Sequence, residues 1–160
     1  MKYIISFFLF FQSMNSFGQH NSIIVIKHIG ISDKPIPTIV VCTKDVCNTP
    51  CIYSIVDTNK VGTLLNKIVA SPNLINVLFQ SLQQDDNVPS NPNQKTYMFG
   101  SFEIDYLNNK CQKEAMSFLC DRKKNVDLFK LSIKKISALE KEENTELIQA
   151  LTNLVKRIEY

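Results

Sequence analysis

The sequence has no tryptophan, two histidines, two arginines and four glycines, and each scarcity removes a class of chemistry. With only Arg122 and Arg157, it lacks the planar bidentate donors on which phosphate and base recognition rely, so nucleic acid is not an expected partner. The glycines at 18, 30, 62 and 100 are scattered and form no phosphate-cradling loop. His20 and His28 have no evident partners for a Ser-His-Asp or Cys-His catalyst, and His28, at the end of an apolar run, reads as a packed strand histidine. Beyond the N-terminus no apolar run approaches the ~20 residues that span a bilayer. No Asn-x-Ser/Thr sequon occurs, which fits a bacterial product.

The N-terminus supplies the first positive signal. Lys2 precedes the apolar run from Tyr3 to Phe11, and small residues follow at Ser16 and Gly18. That pattern predicts a secretory signal peptide over 1–18, with Gln19 as the first mature residue and a secreted or periplasmic destination. Removing 18 of the 160 residues leaves 142 at a net charge of +2, a common size for one domain, here a single α+β domain over 19–160. Five cysteines in an exported chain predict disulfides, with Cys42, Cys47, Cys51, Cys111 and Cys120 as candidates. The odd count leaves one thiol over, or a disulfide-linked dimer. Cys42 and Cys51 are placed at the end and start of neighbouring strands and are the expected first bridge.

Patterning along the mature chain predicts three strands in the first half: the continuous apolar run within 22–29, then Thr38 to Cys42, then Ile52 to Val56. Asp57 and Thr58 are expected to start a helix carrying Val61, Leu64, Leu65, Ile68 and Val69, and Ser71-Pro72 a second carrying Ile75, Leu78, Phe79 and Leu82. The polar stretch 85–95, with Pro89 and Pro92, reads as a junction. A bulge at Gly100 is expected to reset the register between Tyr97 and Phe102.

In the second half, Phe102, Ile104 and Tyr106 alternate with Glu103 and Asp105, the signature of a half-buried strand with its carboxylates on the wet face. Asn108-Asn109 supplies a turn into a second strand ending at Cys120. Asp121 caps a helix with Val126, Phe129, Ile133 and Ile136 on one stripe, and Asn144 starts another with Leu147, Ile148, Leu151, Leu154, Val155 and Ile158. The expected fold is thus α+β: an antiparallel sheet of about four to five strands with two helix pairs mainly on one face. A shift of 64 residues brings Cys47 onto Cys111, Asp57 onto Asp121, Leu64 onto Leu128 and Leu65 onto Phe129, which suggests diverged half-repeats at 22–84 and 96–160.

Candidate chemistry is sparse. Cys42, Cys47 and Cys51 with His28 resemble a metal set, but the cysteine spacings are not those of paired zinc ligands, so no metal and no cofactor is expected. Cys47-Asn-Thr-Pro-Cys51 has one residue too many for a CxxC dithiol and is expected to lead into a strand, not the helix start that activates thiols. Glu103 and Asp105 are close enough for an acid–base pair, but strand alternation already accounts for them. Lys123, Lys124, Lys130, Lys134 and Lys135, with Asp127 among them, read as a solvated helix face. The expectation is a non-enzymatic binding or inhibitory module with a protein partner. The alternative is a thiol-dependent enzyme or redox protein using Cys47 or the left-over cysteine.

Overall fold

The computed structural model describes residues 22–57, 65–83, 99–139 and 144–159. The expected leader, Gln19, His20, Thr58, Val61, Leu64, the junction and Tyr97 lie outside them. Five strands form one sheet: β1 (Ile23–His28), β2 (Thr38–Cys42), β3 (Leu65–Val69), β4 (Phe102–Leu107) and β5 (Lys113–Leu119), in the order β3-β2-β1-β4-β5. Among the described residues four helices accompany it: α1 (Pro50–Asp57), α2 (Pro72–Leu82), α3 (Arg122–Ser137) and α4 (Thr145–Glu159).

The apolar run of β1 is central, as its continuity predicts: it pairs antiparallel with β2 on one side and β4 on the other, and Ile23 through Ile26 are buried on both faces. β5 pairs antiparallel with β4. The sheet is mixed and not wholly antiparallel, because β3 lies parallel to β2. Parallel neighbours require a crossover, and α1 lies within the one joining β2 to β3.

Two sequence expectations fail at this crossover. Ile52 to Val56 is helix and not strand: Pro50 is the first residue of α1 as Pro72 is of α2, and Ile52 and Ile55 fall three apart on one face. Leu65, Ile68 and Val69 mimic a helical stripe, yet they form edge strand β3, in which only Ile68 is buried. The first half therefore runs strand, strand, helix, strand, helix, and the second half strand, strand, helix, helix. Positions that the 64-residue shift superposes fall in unlike elements: Asp57 ends α1 while Asp121 caps α3, and Leu65 is in a strand while Phe129 is in a helix. The topology lends the half-repeat no support.

The helices divide unequally between the two faces. On the first face, Ile24, Ile26, Ile39, Val41, Phe102, Ile104 and Tyr106 meet α2, α3 and α4 in the main core. Phe129 of α3 packs edge-on to Phe102 with centroids 5.2 Å apart, and Phe79 of α2 to Tyr106 at 4.9 Å. Asn125 is buried in α3 and donates from Nδ2 to the Gly100 and Leu119 carbonyls, tying the helix to the ends of β4 and β5. The caps behave as their sequences imply: Ser71 accepts from the Leu74 amide and Asp121 from the Lys124 amide. Gly100 sits in a turn at φ 83°, with Arg122 Cγ and Ile158 Cγ2 3.0 Å from where a Cβ would project, so the position demands glycine. A separate register shift in the β4–β5 pairing falls at Tyr106/Leu107, while the register expected to reset from Tyr97 lies outside the described residues.

The second face carries a smaller cluster. Ile23, Val25, Val40 and Leu107 are covered by Val46, by Ile52 and Ile55 of α1, and by four cysteines.

Candidate functional site

Four of the five cysteines converge on one end of this second face. Cys42, the last residue of β2, bridges to Cys47 in the following turn, with Cα atoms 5.4 Å apart. Cys51, in the first turn of α1, bridges to Cys111 in the β4–β5 turn, with Cα atoms 5.8 Å apart. Both spans lie in the ordinary disulfide range. The expected Cys42–Cys51 bridge is thus replaced. Its premise was a strand beginning at Ile52, and once that segment is helical Cys51 is carried over the sheet toward β4 and β5. Cys120 stays outside both bridges and is exposed.

The two bridges differ in surroundings. Cys42 and Cys47 are buried, whereas Cys51 and Cys111 are only half-buried. Cys111 follows exposed Asn109 and Lys110, at a φ of 59° that few non-glycine residues adopt. Thr49 Oγ1 donates to the Val46 carbonyl and lies 3.1 Å from Cys51 Sγ. The helix start that the sequence reading required of a reactive thiol, and did not find, is present at Cys51. Thr49-Pro50 was the available signal.

Cys42, Cys47 and Cys51 do not come together with His28. Cys42 pairs across β1 with Ile23, while His28 is five residues further along that strand, roughly 16 Å, and faces the opposite core. Its ring stands edge-on to Phe102 and Phe99, and burial lowers its pKa from the ordinary value. Among the described residues no group of three His, Cys, Asp or Glu side chains can hold a metal ion.

Glu103 and Asp105 share the second face of β4, but Asp105 is not on a wet surface: it is 2% exposed. Lys27 of β1 and Lys113 of β5 flank it, with Nζ atoms 2.8 Å and 2.7 Å from its two carboxylate oxygens. Glu103 lies 3.6 Å and 4.0 Å from the same two amines. The four side chains form a charge-balanced grid across three strands, and their aliphatic stems take the place of an apolar cover. The alternation Ile23, Val25, Lys27 could have revealed Lys27 as the partner. On the opposite face Tyr106 is buried, which pushes its pKa up to about 12.

A cleft of about 940 Å³ lies beside the first turn of α3, lined by Phe99, Cys120, Asp121, Lys123, Lys130 and Glu159, among others. Lys130 of the predicted lysine face is ion-paired with Glu159 of α4. Arg122 stacks over Phe99 at 4.9 Å and donates from Nε to the Ile158 carbonyl. Among the described residues no helix is long and apolar enough to cross a membrane. No family model, curated protein or solved structure matches the chain.

Proposed function

We propose that the protein is a small exported binding module, free of enzymatic turnover, that takes an extended segment of a protein partner along β5. The observation that carries this reading is the state of that strand. Among the described residues β5 is an edge strand of the sheet, seven residues long, and Lys113 through Met116 are exposed. The outward backbone donors and acceptors of that exposed stretch, 113–116, are what a partner strand would complete. Lys113 and Glu114 guard its start, but Ala115-Met116-Ser117-Phe118 carries no charge. Two bridges and the ion-paired grid stiffen the sheet beside it, which lowers the ordering cost of binding. The grid also supports the absence of turnover, since both carboxylates already have cationic partners. Export is supported by the two bridges and by the leader pattern at 1–18.

The test uses paired proline variants. Adjacent amides of a strand point to opposite sides, so of Ala115→Pro and Met116→Pro one removes a β4-facing donor and the other an outward one. The mature protein captures its partner from the exported fraction, and that complex is probed by hydrogen exchange. The expected result is added protection of β5 amides and loss of capture in the proline variant that keeps the wild-type melting temperature. Capture by both variants at wild-type level, or a complex without added protection at β5, overturns the reading.

A further inference from the structure

We propose that Cys51–Cys111 is a site of thiol–disulfide exchange with a dithiol, a reducible latch that holds α1 over the second face of the sheet. This stands apart from the strand-addition reading, whose carrying observation is the exposed strand β5 and not the chemistry of this bridge. Four observations converge on it. The bridge is half-buried where Cys42–Cys47 is buried, so a reagent reaches it without unfolding the domain. Cys111, itself half-buried, lies in a turn between exposed Lys110 and Gln112, at the rim of the second-face cluster. Cys51 lies in the first turn of α1, at the positive end of the helix, where a departing thiolate is stabilised. The Thr49 hydroxyl, 3.1 Å from that sulfur, has one hydrogen, now given to the Val46 carbonyl, and a charged thiolate competes for it.

The exchange then has a direction. A thiolate of the dithiol attacks Cys111 Sγ; the bond to Cys51 breaks, and its electron pair leaves on Cys51 Sγ. The second thiol of the dithiol, deprotonated, attacks the reagent sulfur of the mixed disulfide and releases Cys111 as a thiolate. Two electrons pass to the protein, the dithiol closes to its own disulfide, and its two protons go to the cysteine thiolates or to solvent. The product is an α1 that, among the described residues, packs on the second face through Ile52 and Ile55 and the apolar residues beneath them, with the buried Cys42–Cys47 bridge intact.

The test uses the native protein with the Cys120 thiol first blocked by iodoacetamide. It is then exposed to graded dithiothreitol or to a reduced CxxC oxidoreductase, quenched with N-ethylmaleimide and mapped by peptide mass spectrometry. The expected result in at least one arm is maleimide on Cys51 and Cys111 at a reductant level at least about tenfold below that which labels Cys42 and Cys47. Response to the oxidoreductase alone assigns a protein dithiol, and response to both assigns dithiols in general. A third arm uses the monothiol glutathione, whose adduct marks the attacked sulfur: about fivefold more on Cys111 than on Cys51, with the bias reduced in Thr49→Val. Opening of Cys42–Cys47 first or simultaneously in both dithiol arms overturns the proposal, as does an adduct mainly on Cys51.

Discussion

The two faces of the sheet are built from the same five strands and held by different means. The first face is covered by α2, α3 and α4, and its strength is area: ring on ring at Phe102 and Phe129, and aliphatic rows from β1 and β2 beneath them. Among the described residues the second face has one short helix, eight residues long, which is too short to stand alone. Covalent ties and an ion-paired grid take over where apolar cover ends. The difference teaches that a small domain can cover one face by burial and fasten the other with covalent and ionic ties.

The sharpest way to break this comparison is to damage each face in turn. Phe129→Ala removes a fully buried ring from the first face and should cost about 5 kcal/mol, the upper end for Phe→Ala, read by denaturant unfolding of the oxidised protein. On the second face, replacing Cys51 and Cys111 together by alanine opens a closure over 60 residues and should cost about 4 kcal/mol. The same replacement at Cys42 and Cys47, a closure over 5 residues, should cost about 2 kcal/mol, so the ranking of the two double variants is itself a test. Asp105→Asn leaves two lysine amines facing a neutral amide and should cost about 2 kcal/mol, while the equivalent change at exposed Asp33 should be silent. The smallest effect concerns pH and belongs to the first face. His28 is held neutral by burial, so its folded pKa lies below its unfolded one. Its contribution is therefore fully present above the unfolded value near 6.5 and is lost as pH falls from there through the folded pKa. A melting temperature that declines over that window in the wild type, and less in His28→Phe, is the expected outcome.

The first face was legible in the sequence and the second was not. Phe102, Ile104 and Tyr106, the Asp121 cap and the stripe from Leu147 to Ile158 each announce one element, because local pattern and tertiary burial agree there. The second face depends on long-range partners that no local pattern encodes: Cys51 meets Cys111 across 60 residues, and Asp105 meets Lys27 across 78. At α1 and β3 the local signal also pointed the wrong way. β-branched Ile52, Ile55 and Val56 favour a strand, and Leu65, Ile68 and Val69 favour a helix, but the β2–β3 crossover and its bridge impose the reverse. Besides the alternation that carries Lys27, the overlooked clue was Thr49-Pro50, and it bears directly on the chemistry, since it puts Cys51 at a helix start.

Hydrogen exchange compared between the wild type and the Cys51→Ala/Cys111→Ala variant tests the unequal fastening of the two faces most directly. The expected result is that amides of α1 fall almost to the unprotected rate, whereas those of α3 and α4 stay protected, lowered by no more than the loss in global stability. If α1 kept the protection of α3 and α4, or if all three helices lost protection together, the second face would not be held by its bridge.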